Sequence, residues 1–410
     1  MKSWSGNSPR RVLIIVENLP VPFDRRVWQE AVTLRDAGYQ VTVICPIGKG
    51  FDRRSEDLDG IRVYRHALPP EGDGVMGYVA EYGAAFLWQF WLSAKAARQR
   101  GFDVVHACNP PDTIFLLALL YRMFGKRFVF DHHDANPELF EVKFGRRGLL
   151  YRVLRALERF TFRSADVSIA TNESYREIAV TRGGMDPEKV FVVRSGPDLT
   201  RLRRIAPDHA FRNGRRYVAG YVGIMGAQDG IDSLLESIRV VVHERKRDDI
   251  QFLLIGSGTE LAAMQRRAVK FGLGEYVTFT GYLRGEALLR ALSSIDIGLA
   301  PDPLNDYNTI CTMNKIMEYM ALGIPVVQND LREGRFSAGE ASLYAEGVGD
   351  FADKIIRLLD DAPLRARMGE IGRQRMETQF DWSFEAPKLL AAYEEVFGSM
   401  RRGRAVVGTS

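Results

Sequence analysis

Residues 305–330, NDYNTICTMNKIMEYMALGIPVVQND, predict a short helix that lies between a loop and a buried strand. Thr312 can cap this helix, because its hydroxyl can accept a hydrogen bond from a backbone N–H group of the first turn. The apolar positions that follow recur at helical spacing, and Gly323 with Pro325 ends the helix before the strand IPVVQ. The segment therefore predicts one helix and one strand, an order that other parts of the chain repeat.

Lys315 and Glu318 lie on one face of this predicted helix, with Lys315 nearer the N-terminus. The first backbone N–H groups and Lys315 would bind a diphosphate, and Glu318 could accept hydroxyl hydrogens from a ribose about one turn further along. An exposed surface ion pair explains the same spacing equally well. The spacing therefore leaves a ligand-binding helix and a solvated helix both open.

The composition predicts a globular protein with two cores. The chain has 410 residues, of which 46% are hydrophobic, and a formal net charge of +4. No apolar run reaches the roughly 18 residues of a membrane span and no signal peptide is evident, so we expect a cytoplasmic protein. Cys45, Cys108 and Cys311 lie too far apart to indicate a disulfide framework or a zinc site, and the mild charge does not indicate nucleic-acid binding.

Apolar runs separated by helical patterns indicate two parallel sheets with crossover helices. The runs are residues 11–16, 40–45, 61–65, 103–108, 127–131, 166–171 and 189–194, and then 217–223, 250–256, 276–281, 295–300, 324–329 and 341–346. Residues 195–216, rich in Gly, Pro and charge, predict a linker between the two sets. We expect a first domain over residues 1–200 and a second over 215–383, with a helix from 384 to about 400 that crosses back.

Two loops of the first domain carry candidate functional residues. Asp24 can cap the helix after the first strand, and Asp24, Arg25 and Arg26 could contact an acceptor, although charged residues of a first helical turn are commonly solvated. The strand RFVFD runs into His133 and Asp134, at a strand end where such folds place their chemistry. A histidine beside an aspartate suits proton transfer or hydrogen bonding to a transferred group, and purely local hydrogen bonds are the alternative.

Residues 144–166 predict a basic amphipathic helix. Its apolar stripe consists of Leu149, Leu150, Val153, Leu154, Leu157 and Phe160, and its basic stripe consists of Arg152, Arg155, Arg159 and Arg163. Together with Arg146 and Arg147 the helix could lie against an anionic membrane or bind an anionic lipid-linked substrate. Alternatively, the apolar stripe packs on its own sheet. Phe86, Phe90 and Trp91 of an earlier helical segment are either core residues or an apolar cleft edge.

Glycines follow two strands of the second domain. The loop GIMGAQDG, residues 223–230, connects a strand to a helix, and IGSGTE, with Gly256 and Gly258, follows the next strand. Glycines at a strand-to-helix turn let backbone N–H groups approach a phosphate at the helix N-terminus. Neither loop is a GxGxxG motif or a P-loop, so each is a weak indication by itself.

Taken together and in this order, these motifs resemble the retaining, nucleotide-sugar-dependent family 4 glycosyltransferases over about residues 10–395. The resemblance is carried by NLPVPFDRRVWQEA, the loop containing His133, the turn at 223–230, IGSGTE, FTGYL and NKIMEYMALGIPVV. It implies an α/β protein of GT-B fold, with two Rossmann-like doubly wound domains facing a central cleft. The first domain would bind a glycan or polyprenyl-linked acceptor and the second a UDP- or GDP-sugar. The implied reaction proceeds with retention, without an obligatory metal or cofactor, in bacterial cell-surface or exopolysaccharide synthesis.

The resemblance also implies roles for particular positions. Catalytic roles fall to His133, Asp134 and Lys315, and the leaving diphosphate would be stabilised by Lys315 and by the helix N-termini after Gly226 and Thr312. The implied acceptor contacts are Asp24, Arg25, Arg26 and Glu138. The implied donor contacts are Gly223, Gly226, Gln228, Gly256, Gly258, Tyr282, Asn314, Lys315 and Glu318.

Three positions depart from the family pattern. The family commonly has a glutamate eight positions before the one matched by Glu318, and this chain has Ile310 there. Ile224 and Asp229 stand where an arginine and a lysine often face the diphosphate, so Lys315 is the best available cation.

A GT-B nucleotide-sugar epimerase and a catalytically silent, membrane-docking GT-B scaffold are the alternatives to a glycosyltransferase. An NAD-dependent enzyme would need a GxGxxG motif with an acidic ribose-binding residue.

Overall fold

The computed structural model describes residues 9–67, 74–145 and 147–407, with side chains left out for 74–82 and 399–407. Arg146 of the predicted basic helix lies outside the described residues. The described residues form two compact units. The first contains residues 9–141, 147–194 and 386–407, and the second contains 142–145 and 195–385. The predicted linker, 195–216, belongs to the second unit.

The first unit is built on an eight-stranded sheet within the described residues. Its strands are β1 (Arg11–Ile15), β2 (Gln40–Pro46), β3 (Ser55–Leu58), β4 (Ile61–His66), β5 (Val104–Cys108), β6 (Arg127–His132), β7 (Val167–Ala170) and β8 (Val190–Val192). They lie in the order β3-β4-β2-β1-β5-β6-β7-β8. Only β3 pairs antiparallel among these described strands, and only β3 was not predicted.

The helices of the first unit connect these parallel strands. They are α1 (Arg25–Asp36), α2 (Gly74–Gln99), α3 (Phe115–Arg122), α4 (Asn136–Phe144), α5 (Leu149–Ser164) and α6 (Glu173–Glu177), and the last residues of α4, from 142 onward, belong to the second unit. The Asp24 side chain caps α1 by accepting a hydrogen bond from the Val27 backbone N–H group, as predicted. Gly38 follows the helix at a φ of 88°, a left-handed conformation that glycine adopts without strain.

The second unit contains a six-stranded, all-parallel sheet in the part of the chain that the structure describes. Its strands are β9 (Tyr217–Val222), β10 (Ile250–Ile255), β11 (Val277–Gly281), β12 (Ile297–Ala300), β13 (Val326–Asn329) and β14 (Ser342–Ala345), in the order β11-β10-β9-β12-β13-β14. The helices are α7 (Ile231–Arg239), α8 (Leu261–Lys270), α9 (Gly285–Ser293), α10 (Asn314–Ala321), α11 (Arg332–Ala338), α12 (Gly347–Asp360), α13 (Ala362–Arg375) and α14 (Trp382–Val407).

Strand β10 shows why its sequence is a continuous apolar run. Phe252 and Leu254 belong to one buried cluster, which includes residues of α7 and α12. Leu253 and Ile255 belong to another, which includes residues of α10. A strand with helices on both faces of its sheet needs apolar side chains at successive positions rather than at alternate ones.

Helix α14 begins in the second unit, and its residues from 386 onward belong to the first. The Tyr393 hydroxyl lies 2.8 Å from Nδ1 of the buried His106, and Arg10 donates a hydrogen bond to Glu394. The helix is therefore packed into the first unit by a buried polar contact and an ion pair at the surface. No helix of the described residues is long and apolar enough to cross a bilayer.

One local prediction was wrong, and for two other segments the structure decides between the alternatives that the sequence left open. Helix α10 begins at Asn314, with Met313 rather than Thr312 at the N-cap position and without a capping side chain. The apolar stripe of α5 does not supply the buried face, because Leu149, Val153 and Phe160 are exposed. That face consists of Tyr151, Glu158, Thr161, Phe162 and Ser164. Phe90 and Trp91 are likewise exposed rather than core residues.

Candidate functional site

The two glycine loops of the second unit pack backbone against backbone. A Cβ atom on Gly256 would lie 1.8 Å from the Gly223 carbonyl oxygen, and one on Gly258 would lie 2.4 Å from the Met225 carbonyl oxygen. The Met225 N–H group donates to the Ser257 carbonyl oxygen at 3.1 Å, which closes the contact. Glycine is therefore required in these loops by close approach as well as by the φ of 143° at Gly256.

Lys315 lies beside these loops. Its Cε atom would be 3.3 Å from a Cβ atom on Gly223, and its Nζ atom is 5.1 Å from the centre of the Tyr221 ring. Nζ also donates to Asp302 Oδ1 at 2.6 Å, and the side chains of Lys315 and Asp302 are only 9% and 2% exposed. Burial by itself would lower the pKa of Lys315, but Asp302 and Asp229 outweigh this effect and raise it. The ammonium group therefore keeps its charge at neutral pH.

Glu318 is buried on α10, close to one turn beyond Lys315. The alternative of an exposed Lys315–Glu318 surface pair is therefore wrong. Asn314 is exposed at the start of α10, and Tyr282 is half-exposed just after β11. Gln228 lies in the glycine loop, where its carbonyl oxygen accepts a hydrogen bond from Asn308.

Sequence reasoning missed Asp302 beside Lys315 and named Asp229 only as a departure from the family pattern. Asp302 lies two residues beyond the end of β12, at the sheet edge where parallel α/β folds bind ligands, and this position could have been noticed. Asp229 accepts a hydrogen bond from the Gly226 backbone N–H group through Oδ2 at 2.9 Å. Burial raises the pKa of Asp229 to about 6, against the opposing influence of Lys315 and of this hydrogen bond.

A buried ion network organises the first unit. Arg26 Nη2 lies 2.8 Å from Asp131 Oδ1 and 3.1 Å from Glu30 Oε1. Burial would raise the pKa of Asp131, but Arg26 and His133 outweigh it and hold the pKa well below the usual range. Burial, reinforced by Asp131, raises the pKa of Glu30 well above its usual value. Arg26 was predicted to face an acceptor, and instead its guanidinium group is buried in this network.

His133 is held by the same network. Its Nε2 atom lies 2.5 Å from Asp131 Oδ2 and 3.0 Å from Arg26 Nε, and its backbone N–H group donates to Asn109 at 2.7 Å. One nitrogen cannot donate to the carboxylate and accept from the guanidinium group at once. We assign the proton to Nε2, because the shorter, charge-assisted contact with Asp131 is the stronger. His133 is partly exposed, whereas His132, one residue earlier, is fully buried.

The other predicted acceptor residues differ in their surroundings. Glu138 pairs with Arg182, which also pairs with the buried Glu158 at 2.6 Å, so the Glu138 carboxylate has a partner within the unit. Asp24 uses its side chain as the helix cap, and Arg25 is exposed. Asp134 is half-buried beside His133, and its carbonyl oxygen accepts a hydrogen bond from Asn109.

One group of potential metal ligands occurs among the described residues, formed by the buried His106, Cys108 and Asp131. Arg26 places a guanidinium group against both oxygens of Asp131, at 2.8 and 3.3 Å. Burial also raises the pKa of the Cys108 thiol well above its usual value. A fixed cation and a protonated thiol do not suit a metal ion, so this group fits a structural role.

A cavity of about 690 Å³ also occurs in the second unit. Residues of α7, the start of α12, the ends of β13 and β14 and the loop after β12 line it. None of the residues predicted to bind a donor lies in its wall. The charged residues around Lys315 therefore remain the stronger candidate site, since they combine a buried cation with glycine loops at strand ends.

Comparison with known proteins identifies the family of the chain. Residues 24–196 match the model of a glycosyl transferase 4-like domain, and residues 216–361 match that of glycosyl transferases group 1. The 2-deoxystreptamine glucosyltransferase of Streptomyces kanamyceticus is 24% identical over 370 residues, which cover 85% of this chain and 92% of that protein.

Two solved structures show the same fold. Sucrose-phosphate synthase from Thermosynechococcus elongatus superposes with a TM-score of 0.73 at 19% identity, covering 95% of this chain and 100% of that one. The Anabaena protein HepE, in complex with UDP and glucose, superposes with a TM-score of 0.70 at 14% identity, covering 94% and 99%. The prediction of an α/β protein of GT-B fold with two doubly wound domains is confirmed. The chain is a glycosyltransferase and belongs to the family 4 glycosyltransferases of GT-B fold.

Proposed function

We propose that this enzyme transfers a sugar from a nucleotide-diphosphate sugar to a glycan or lipid-linked acceptor, with retention of the anomeric configuration. The observation that carries the proposal is the buried Lys315 beside the paired glycine loops, with Glu318 further along the same helix. Lys315 and the loop amides would bind the diphosphate, and Glu318 would accept hydrogen bonds from the ribose. The HepE complex with UDP and glucose supports a nucleotide-sugar donor. We propose a UDP- or GDP-hexose.

The proposed chemistry places positive potential where negative charge develops. As the sugar–phosphate bond breaks, charge grows on the diphosphate, and fixed donors stabilise this charge more than they stabilise the intact donor. The acceptor hydroxyl would enter from the face of the leaving group and pass its proton to the departing phosphate, so that no enzymic nucleophile is needed. Since Lys315 supplies a cation at this point, we expect no obligatory metal ion.

In the first unit, we assign to His133 a hydrogen bond to the transferred sugar. Its Nε2–H group is engaged by Asp131, so Nδ1 is the nitrogen free to accept a hydrogen bond from a sugar hydroxyl. Asp134 is the neighbouring polar group in this proposal, and Arg25 is the exposed charge near the start of α1.

The experiment is a nucleotide-sugar panel scored by thermal shift, followed by turnover with the donor that stabilises the protein. NMR of the product linkage is expected to show the anomeric configuration of the donor, and activity is expected to persist in EDTA. An inverted anomer, or activity restored only by Mg²⁺ or Mn²⁺, would contradict the proposed mechanism. Full turnover by His133→Ala would contradict the role assigned to His133 and leave the rest of the mechanism standing. Unchanged nucleotide affinity in Glu318→Gln would contradict the proposed contact between Glu318 and the ribose.

We further propose that the first unit binds the membrane that carries a polyprenyl-linked acceptor, in bacterial cell-surface or exopolysaccharide synthesis. The support is an exposed surface of α3 and α5, which combines apolar and basic side chains. Phe115 of α3 stacks on Phe160 of α5 at 6.0 Å. The exposed apolar residues are Leu116, Leu119, Met123, Phe124, Leu149 and Val153, and the exposed basic residues are Arg152, Arg155, Arg159 and Arg163. This combination suits the interface of an anionic bilayer.

The membrane proposal is tested by co-sedimentation with liposomes that contain anionic lipid. Reversal of Arg152, Arg155 and Arg159 to Glu is expected to abolish binding, because each arginine near an anionic surface contributes on the order of 1 kcal/mol. Reversal of the exposed Arg266, Lys270 and Arg284 changes the net charge equally and is the control. Equal loss in both variants would show that only net charge matters.

A further inference from the structure

The glycine loop after β9 already contains an anion. Asp229 turns back toward the start of its own short turn, Ala227–Asp229, and its Oδ2 atom accepts the Gly226 backbone N–H group at 2.9 Å. A backbone N–H group of a glycine turn that leads into a helix is a typical donor to a phosphate oxygen. In the described structure this donor is used by a carboxylate of the chain itself.

Charged groups of both signs act on the Asp229 carboxylate. Lys315 and Lys143 attract the carboxylate, while Asp302 repels it. Lys315 is itself paired with Asp302 at 2.6 Å, and the Tyr221 ring lies against its ammonium group. Apart from the exposed Lys143, this cluster thus has two carboxylates, the buried Asp302 and the half-buried Asp229, for one ammonium group. An incoming diphosphate would add further negative charge in a setting of reduced dielectric constant.

We propose that Asp229 is an internal competitor of the donor diphosphate, which holds the Gly226 N–H group in the unliganded enzyme and must release it or take up a proton before the diphosphate binds. This inference rests on the proposed donor site around Lys315. It makes Asp229 a residue that tunes donor affinity, in a position where the family often has a cation.

The competition predicts a dependence of donor binding on pH. Burial places the pKa of Asp229 near 6, and a bound diphosphate would raise it further, because the neutral acid no longer repels the phosphate oxygens. Binding then takes up a proton. Donor affinity is highest below pH 6 and falls as pH rises, since at higher pH the carboxylate must first be protonated or displaced.

A purely structural helix cap would behave differently. Loss of a cap lowers the stability of the second unit, but it does not link donor affinity to pH. Asp229→Asn separates the two roles, because the asparagine oxygen can still accept the Gly226 N–H group while the negative charge is removed. Asp232→Asn is the matched control, since Asp232 is an exposed acid in the first turn of α7, three residues further along.

The test is isothermal titration of the full chain with UDP-glucose and with GDP-mannose at pH 5.5 and pH 8. Neither ligand has a phosphate that titrates in this range, so the pH effect reports on the protein. We expect the wild type and Asp232→Asn to bind more tightly at the lower pH. We expect Asp229→Asn to bind about tenfold more tightly than the wild type at pH 8, and to lose most of the pH dependence.

The outcomes separate this inference from the proposed function. If both nucleotide sugars bind all three proteins with equal affinity and equal pH dependence, Asp229 does not compete with the donor and the inference is overturned. Weaker binding by Asp229→Asn would also overturn it, because Asp229 would then assist the donor. If neither sugar, nor free UDP or GDP, binds any of the three proteins, the proposed donor site is wrong and the inference falls with it.

Discussion

Replacement of Lys315 by methionine is expected to damage the fold and the donor site together. The Lys315 ammonium group contacts Asp302 at 2.6 Å, and both side chains are buried. The second carboxylate oxygen, Asp302 Oδ2, has no hydrogen-bond partner among the described residues. Removal of the ammonium group would leave a buried, unpaired carboxylate, which costs about 3–5 kcal/mol. We expect the second unit to lose stability by this amount in Lys315→Met.

A second substitution separates stability from binding. Asp302→Asn in the Lys315→Met background removes the unpaired charge, so most of the lost stability should return and a deficit of about 1–2 kcal/mol should remain. Nucleotide binding should not return with it. Both variants lack the charge-assisted hydrogen bond to the diphosphate, which is worth about 1–3 kcal/mol, or about a 5- to 150-fold loss of affinity.

Urea unfolding followed by circular dichroism measures the stability term, and titration calorimetry with UDP and GDP measures the binding term. Two units rarely unfold in one step, so the shift in midpoint is taken from the transition that Lys315→Met alters. Lys270→Met removes an exposed lysine and should change stability by less than about 0.5 kcal/mol. The reasoning is refuted if the double variant is as unstable as Lys315→Met, or if it binds nucleotide as tightly as the wild type.

Two further predictions concern packing and pH. Gly256→Ala should lower stability by about 2–5 kcal/mol in thermal unfolding, because its Cβ atom would lie 1.8 Å from the Gly223 carbonyl oxygen. The control is Gly347→Ala, at a φ of 84° with open space around it, which should lower stability by only about 1 kcal/mol. Burial raises the pKa of Glu158 from 4.5 to about 8 against the opposing influence of Arg182, so its contribution to the stability of the first unit is fully present below pH 4.5 and is lost as pH rises through 8. Glu158→Gln should flatten this part of a denaturation profile, and an unchanged slope would contradict the assignment.

The strands were predictable because parallel strands buried on both faces need uninterrupted apolar sequence. The strand β3 was missed because SEDL is polar and lies at the sheet edge, where its residues are partly exposed. A signal was nevertheless present. Asp59 and Gly60 follow at φ values of 49° and 81°, and a DG pair between two extended segments is typical of a tight hairpin turn.

The helix faces were harder to predict than the strands. In α5 the apolar stripe looks like a core face, but the buried side contains Glu158 and Thr161, which have polar partners on other elements. Glu158 pairs with Arg182 and the Thr161 hydroxyl donates to the Asp112 carbonyl oxygen. Hydrophobic periodicity cannot identify a face that is buried through ion pairs and hydrogen bonds.

The individual site residues were partly predictable. The glycines and Lys315 follow from local patterns, because each acts within a few residues of a helix start. The partners of the cations do not, since Arg26 and Asp131 are 105 positions apart and meet only when the fold brings the side chain of one to the other. A local pattern therefore predicted Arg26 as a solvent-facing contact, whereas the fold uses it to neutralise Asp131.

In both units a buried carboxylate near the end of a strand holds a functional side chain in position. In the first, Asp131 at the end of β6 is neutralised by Arg26 and fixes His133; in the second, Asp302 beyond β12 fixes Lys315. In each case a buried carboxylate at a strand end orients a group that we assign to catalysis. Burial of a charged carboxylate lowers the stability of the fold unless the carboxylate is paired, so each of these aspartates remains buried and charged only while its cation is in place. Substitutions at either aspartate should therefore reduce stability and activity together, whereas a change at the partly exposed imidazole of His133 should affect mainly activity.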